Sequence, residues 1–578
     1  MSIKKVVFFL LVTGMAVALL SSKTSKESFP KKYFRSPVDG PIQLSGSFGE
    51  LRSNHFHSGI DIKPQKRGRS GQNIYAAAEG YVSRILVSHR GYGYGMYVKH
   101  PNGYTTVYGH LLKFNDKIAK HIEQLQYDNE TFHIDSDTFP PNLFPVRKGE
   151  IIGYLGNSGS SGGAHLHFEI RETESGHAFN PLLFGLTVND NIPPKLQELK
   201  IYNLNHKLET ITTKKYSIKA NKKNKGYYLP SKEITVKSGR VGIALKTFDF
   251  MTGVSNWNGP YNIKMYQDDS LIYHFEVNEL AFEEWYYLNA HVDYQEFKQK
   301  KSYFNRCFLL PGNGNTTIYK EAINQGIIEL REGETANIKL VAQDITGNKS
   351  SIGFKMVRKG TDVPKDFATF NYILPYKERN AIRQNSIEMY FDEGSFYEDV
   401  YLQYSYSIDK SNHYFAGVHH IHDKYVPLHT PFSLKIKPSK PIADSLKSKL
   451  TIVRCDGTRG EAGFSSKWEG DFLVTKTRSF GSYSVMLDTI PPVITSKSFS
   501  KNMANQTKMT FKIKDNLSGV KSFNAYVDGK WILLNHDGKS RQLSHTFDEK
   551  ISRGKHQLKI ELKDNQDNIT VFEEEFVR

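Results

Sequence analysis

Three short acidic marks occur twice along this chain, in the same order. Asp190-Asn191-Ile192-Pro193-Pro194 returns as Asp488-Thr489-Ile490-Pro491-Pro492. Asp249-Phe250-Met251-Thr252-Gly253-Val254 returns as Asp515-Asn516-Leu517-Ser518-Gly519-Val520, and Asp344-Ile345-Thr346-Gly347-Asn348 as Asp564-Asn565-Gln566-Asp567-Asn568. The last mark follows an alternating run each time, Ile338-Lys339-Leu340-Val341-Ala342 and Leu558-Lys559-Ile560-Glu561-Leu562. Period-two alternation closed by Asx turns is the pattern of antiparallel β-sandwiches, and a double proline suits an edge or linker that needs no ladder donor. An immunoglobulin-like β-sandwich with insertions is therefore expected over 188–360 and another over 488–578. The region 361–487 lacks the marks but reads as strand, as at Asp399-Val400-Tyr401-Leu402-Gln403-Tyr404-Ser405-Tyr406, so a further β-sandwich-like domain is expected there. The acidic marks are expected to form turns, with calcium ligation the lesser alternative.

A chain of 578 residues is too long for one core. Its aromatics are mostly Tyr (33) and Phe (36), the broad side chains that strands favour, and a 38% hydrophobic share argues against a disordered chain. Only the start is apolar enough to enter a membrane. Lys4 and Lys5 precede an apolar run from Val6 to Leu20, with small residues at Ala16, Ala18, Ser21 and Ser22. Residues 1–22 read as a secretory signal peptide, with an uncleaved N-terminal membrane anchor as the alternative; both put the rest of the chain in the periplasm or cell envelope. The two cysteines, Cys307 and Cys455, make no disulfide scaffold and are expected unpaired. A net charge of +17 suggests nucleic acid, but the lysines are scattered and no nucleic-acid motif accompanies them. For an exported chain, an anionic envelope polymer is the better partner.

Between Gly46 and Gly185 the sequence is dense in Gly, His and short apolar runs, such as Gly80-Tyr81-Val82-Ser83-Arg84-Ile85-Leu86-Val87. These read as antiparallel strands, with one amphipathic helix from Asp116 to Asp128 carrying Ile118, Ile122 and Leu125 on one face. Three elements here carry chemistry: His57-Ser58-Gly59-Ile60-Asp61, Tyr108-Gly109-His110, and His165-Leu166-His167 with Phe168-Glu169. On a strand, residues two or four apart share a face. His165 with His167, and His57 with Asp61, are thus able to converge from two strands. Two His and one carboxylate form a catalytic zinc ligand set that leaves a position for water. Each element alone is weak in a chain with 21 His; together and in order they are specific. His55 joins this face only if the strand extends that far. The turn Gly156–Gly163 is expected in a substrate groove, and His419-His420-x-His422 in an exposed hairpin.

Residues 46–185 resemble the lysostaphin-type zinc endopeptidases, metallopeptidase family twenty-three. The likeness runs from Phe48-Gly49-Glu50-Leu51-Arg52 through His57–Asp61, Ala76-Ala77-Ala78-Glu79-Gly80, His100-Pro101-Asn102-Gly103-Tyr104, Tyr108–Leu111 and Lys148-Gly149-Glu150-Ile151-Ile152-Gly153 to Gly156–Glu169. It implies a mainly β fold, with an antiparallel-sheet peptidase domain over 30–187. It implies Zn2+ held by His57, Asp61 and His167, with His165 and His110 as unliganded catalytic histidines. His165 would be base, then acid to the leaving amine; His110 would stabilise the oxyanion or orient water. The implied substrates are peptidoglycan stem peptides and cross-bridges, hydrolysed by attack of zinc-bound water. Two features depart from the family pattern: Ala164 replaces the usual Pro, and the stretch from His110 to Lys148 is longer than usual, either a substrate-shaping lid or an inert insertion. The alternative reading is a non-catalytic wall-associated protein that activates other cell-wall hydrolases; the five intact positions favour hydrolysis. No residue pattern assigns a partner to the sandwiches.

Overall fold

The computed structural model describes residues 29–578 apart from 67, 138, 222–225, 362–368, 411–412 and 458–459. The expected leader at 1–22 lies outside the described residues, among which no helix is long and apolar enough to cross a membrane.

The alternating N-terminal segments form β1 (Leu44–Gly46), β2 (Ile60–Ile62), β3 (Gly80–Val87), β4 (Tyr94–Lys99), β5 (Tyr104–Phe114), α1 (Asp116–Asp128), β6 (Ile134–Ser136) and β7 (Leu166–Glu172). The strands lie in the order β1-β2-β7-β5-β4-β3-β6, and each neighbouring pair is antiparallel. Strand β7 is central. Its Leu166, Phe168 and Ile170 are wholly buried in the core, which turns His167 and Glu169 to the other face of the pleat. Beneath the sheet, Phe184 packs on Phe34 and Tyr104 with ring centroids 5.6 and 5.1 Å apart.

Helix α1 occupies the expected span. The Asn115 side chain accepts the Ile118 N–H at 3.0 Å, so a free amide of the first turn is satisfied. Ile118 and Ile122 are buried, and Leu125 is half-buried.

Downstream, β8 (Lys195–Leu204) pairs with β9 (Arg240–Phe250), which continues to β10 (Trp257–Asn258). A second sheet runs through β11 (Asn262–Gln267), β12 (Thr335–Gln343) and β13 (Lys349–Arg358). Among the strands of the described residues one pair is parallel, Glu233–Val236 against β13. Two five-stranded sheets follow between Asn380 and Leu487, and two four-stranded sheets between Val493 and Val577. The architecture is thus mainly β, an antiparallel N-terminal sheet followed by sandwich-like sheet pairs.

The N-terminal sheet and the first sandwich share one continuous core that runs from Phe34 to Met356. Backbone pairing joins them as well, with Ala178–Phe179 against Glu279–Leu280. The C-terminal sheets fold back onto the N-terminal unit. His89 stacks on His536 at 4.4 Å, the Tyr94 hydroxyl donates to Asn535 Oδ1 at 3.1 Å, and Tyr127 of α1 meets Trp531 edge-on at 5.2 Å. Lys550 pairs with Glu123 of α1 at 3.0 Å. The inserted helix therefore serves as a seat for the C-terminal sheets, and its residues are absent from the groove lining described below.

Cys307 and Cys455 are both free thiols. His419 corrects an expectation: the hairpin forms, but His419 is fully buried, and only His420 is exposed. Inward and outward positions alternate on a strand, so adjacent histidines take opposite fates.

Candidate metal and catalytic centre

Strand register builds the site. His167 on β7 lies opposite Asp61 of β2 on one side and Gly109 of β5 on the other. Two of the sought positions are thereby brought together, and His110 follows one residue on. A Cβ on Gly109 would stand 2.9 Å from the Tyr92 ring and 3.3 Å from His167 Cβ, so glycine keeps that approach open. His110 adopts φ +61°, a left-handed conformation uncommon outside glycine. Its amide still donates to the Tyr92 carbonyl at 2.8 Å. This bulge turns its ring towards His165 and His167, with centroids 4.8 and 5.9 Å away.

His57 departs from the expected geometry. Strand β2 spans only Ile60–Ile62, so His57 comes from the preceding loop rather than from the strand face it was expected to share with Asp61. Backbone bonds between Gly49 and His57 and between His57 and Glu50 hold that loop.

Three acceptor atoms converge. His57 Nε2, His167 Nδ1 and Asp61 Oδ1 lie 3.0 Å from one another in each pairing. The remaining nitrogen of each ring is already committed. His57 Nδ1 is 2.8 Å from the Ser47 carbonyl, to which its N–H donates. His167 Nε2 is 2.6 Å from Glu169 Oε1, so its N–H donates to that carboxylate. In their neutral forms both rings therefore turn an unprotonated nitrogen to the carboxylate oxygen. Three buried lone pairs facing one another repel unless a cation or a proton lies between them.

The electrostatics carry the same demand. Burial works to raise the Asp61 carboxyl, yet the His57, His165 and His167 rings hold it well below the usual carboxylate range. Burial alone would lower His167, but the Asp61 and Glu169 carboxylates push it up to about 9. Burial lowers His57. Without a metal, a proton on His167 supplies the positive charge. The donor set of two imidazoles and one carboxylate suits a zinc ion.

The surrounding groups fix these orientations. Asp61 Oδ2 accepts from Arg52 Nη2 at 2.7 Å, which leaves Oδ1 facing the rings. Glu169 is fully buried and accepts from Ser58 Oγ at 2.7 Å, Tyr92 Oη at 2.6 Å and Arg171 Nε at 2.5 Å besides His167. His165 Nε2 points inward, 3.4 Å from Asp61 Oδ1, while its Nδ1 lies 2.9 Å from the Gly163 carbonyl. His110 Nδ1 lies 2.9 Å from the Ser158 carbonyl. Burial, with the neighbouring His167 and His165, lowers His110 to about 3, so it is neutral at physiological pH.

An open groove crosses the centre. Arg52, Asp61, Gly162 and His165 line both of its arms, so the turn Gly156–Gly163 does contribute to the groove. The first sandwich supplies one wall, with Trp285 on one arm and Gly253–Asn256 on the other. His55 stacks on Trp285 at 5.0 Å, and burial lowers it to about 4, which makes it a neutral part of the wall. The sequence reading assigned no role to Ser47, Arg52, Tyr92 or Glu169. The signal for Glu169 was present, because it continues the His165, His167 alternation along β7.

Residues 55–127 match the model of Peptidase family M23, and residues 371–488 match that of a Zu5-like domain. The DD-carboxypeptidase/endopeptidase Mpg of Neisseria meningitidis serogroup B is 30% identical over 149 residues, 25% of this chain and 27% of that protein. The murein hydrolase activator NlpD of Salmonella dublin is 30% identical over 164 residues, 28% of this chain and 34% of that protein. The match thus spans about a third or less of these relatives. Among solved structures, the catalytic domain of lysostaphin from Staphylococcus simulans is similar at 22% identity, covering 25% of this chain and 90% of that one, with a TM-score of 0.18.

Proposed function

From a chain that carries a Peptidase family M23 domain, we propose an exported zinc-dependent endopeptidase that hydrolyses peptide cross-links of bacterial peptidoglycan. The observation that carries this reading is the convergence of His57 Nε2, Asp61 Oδ1 and His167 Nδ1, with two further histidines at the same centre. His57, Asp61 and His167 would hold the zinc, which when bound supplies Lewis acidity towards water and the scissile carbonyl.

The chain's own residues divide the remaining work. Arg52 and Glu169 hold Asp61 and His167 in the receiving orientation. The His165 Nδ1–H is spent on the Gly163 carbonyl, so Nε2 is the basic nitrogen that takes a proton from water and returns it to the leaving amine. His110 donates through Nδ1 to Ser158 and presents a bare Nε2. In the resting state it therefore accepts a hydrogen bond and orients water, rather than donating to an oxyanion. The open groove suits an extended peptide crossing the centre. The apolar run Val6 to Leu20 behind Lys4 and Lys5, read as a signal peptide or a membrane anchor, supports export to the envelope, where that substrate lies.

The activator reading draws on the likeness to NlpD. An activator has no need of His110 and His165 at a complete ligand set, and their presence favours the peptidase reading. The experiment is digestion of purified peptidoglycan by the chain from residue 23, with muropeptides read by mass spectrometry. Cleavage products that vanish on chelation and return with zinc are expected. Intact muropeptides from zinc-loaded protein would favour the activator.

A further inference from the structure

The acidic marks of the first sandwich converge in the fold. Asp190 precedes β8, Asp249 lies near the end of β9, and Asp344 follows β12. One carboxylate oxygen from each lies within 4.8 Å of the others. Among the described residues, this and the His57 centre are the two groups of three or more metal-ligating side chains that converge so closely.

Turn formation explains part of the arrangement. Asp344 Oδ1 accepts from the amides of Gly347 and Asn348 at 2.8 and 2.9 Å, and Asp190 Oδ1 accepts from the amides of Ile192 and Thr252 at 3.1 Å each. It does not explain Asp249. That residue is only 7% exposed, and its buried Oδ1 has no hydrogen-bond partner. Its cross-strand neighbour Asn258 is 2% exposed, and its Oδ1 is likewise buried and unpartnered. Orphaned buried oxygens are costly, most of all on a charged group beside two like charges. Burial, then Asp344 and Asp190, push the Asp249 carboxyl up to about 8.

We propose that Asp190, Asp249 and Asp344, with the Asn258 amide oxygen, hold a calcium ion at the root of the first sandwich. An all-oxygen set with three carboxylates suits a hard cation, and calcium tolerates irregular coordination better than magnesium. The ion would satisfy the orphaned oxygens and offset the repulsion. It would also fix the turn after Asp249, whose Gly253–Asn256 segment walls one arm of the groove beside Asp61 and His165. This site is separate from the zinc centre and stands independently of the peptidase reading.

The test is calorimetric titration of the EDTA-stripped full chain with calcium chloride, together with melting curves, on wild type and Asp249→Asn. Calcium is expected to bind and raise the Tm of the wild type, and one calcium equivalent is expected to weaken by about tenfold or more in the variant. Without calcium, Asp249→Asn should melt at or above the wild-type temperature, because it removes a carboxyl whose burial beside Asp190 and Asp344 is costly. Equal calcium binding in the two proteins, or none to the wild type at millimolar calcium, overturns the site. A second readout does not depend on how that variant folds. Trp257 adjoins Asn258 on β10, so terbium bound at the site should show indole-sensitised emission that calcium displaces and Trp257→Phe diminishes. Emission unchanged in Trp257→Phe would count against the assignment.

Discussion

Glu169 Oε1 lies 2.6 Å from His167 Nε2 and fixes which nitrogen of that ring faces the centre. The carboxylate is fully buried and also receives Ser58, Tyr92 and Arg171. Glu169→Gln retains the size but loses the charge and one acceptor. Zinc affinity is expected to fall about 10- to 100-fold, the usual cost of losing a partner behind a metal ligand. Competition with a chromophoric chelator measures it, and an affinity within twofold of wild type would refute the positioning role.

His110 and the metal site separate in a second variant. His110 makes no contact within hydrogen-bond distance of the three converging atoms, and its Nδ1 is anchored on Ser158. His110→Ala should retain zinc at wild-type stoichiometry while kcat falls about 10²- to 10⁴-fold, the range for a lost acid–base group. Loss of zinc in this variant would make His110 a ligand.

Acid should loosen the contact between the N-terminal sheet and the first sandwich. His291 stacks on Phe275 at 4.6 Å, packs on Phe56 at 5.7 Å and bonds Asn305 at 3.0 Å through Nε2. Burial lowers it from 6.5 to about 4. The folded state binds its proton less readily than the unfolded chain, so its stabilisation is complete above pH 6.5 and is lost as pH falls towards 4. The full effect is at most about 3 kcal/mol. Urea unfolding at steps between pH 7 and 4 should show the decline, and His291→Gln should flatten it.

The seat of the C-terminal sheets makes its own prediction. Tyr127 and Glu123 of α1 meet Trp531 and Lys550. Trp531→Ala removes the edge-on ring contact, so amide exchange in residues 116–128 should quicken while the β7 amides stay protected. Equal protection of α1 in both proteins would show that the helix is held without this contact.

Much of this architecture was legible because strand periodicity and turn chemistry are local. The span Asp116–Asp128 follows from apolar spacing, and the shared face of His165 and His167 follows from the two-residue period. His57 was placed on a strand by the same rule and came instead from a loop, because the ladder between β2 and β7 stops at Ile60. The left-handed turn at His110 had no local signal; a bulge is set by the pairing of β5 with its neighbours. Nor did sequence reveal that α1 seats the C-terminal sheets, since that contact joins residues more than 400 positions apart. The repeated acidic marks were visible, but the orphaned Asp249 oxygen emerges only when three distant segments meet.

Zinc content measured alongside cleavage on three proteins tests the central claim most directly. The account predicts one zinc per chain and muropeptide cleavage in the wild type. It predicts neither in His167→Ala, and zinc without cleavage in His165→Ala. Zinc retained by His167→Ala, or cleavage retained by His165→Ala, would contradict the division of these histidines between holding the metal and moving the proton.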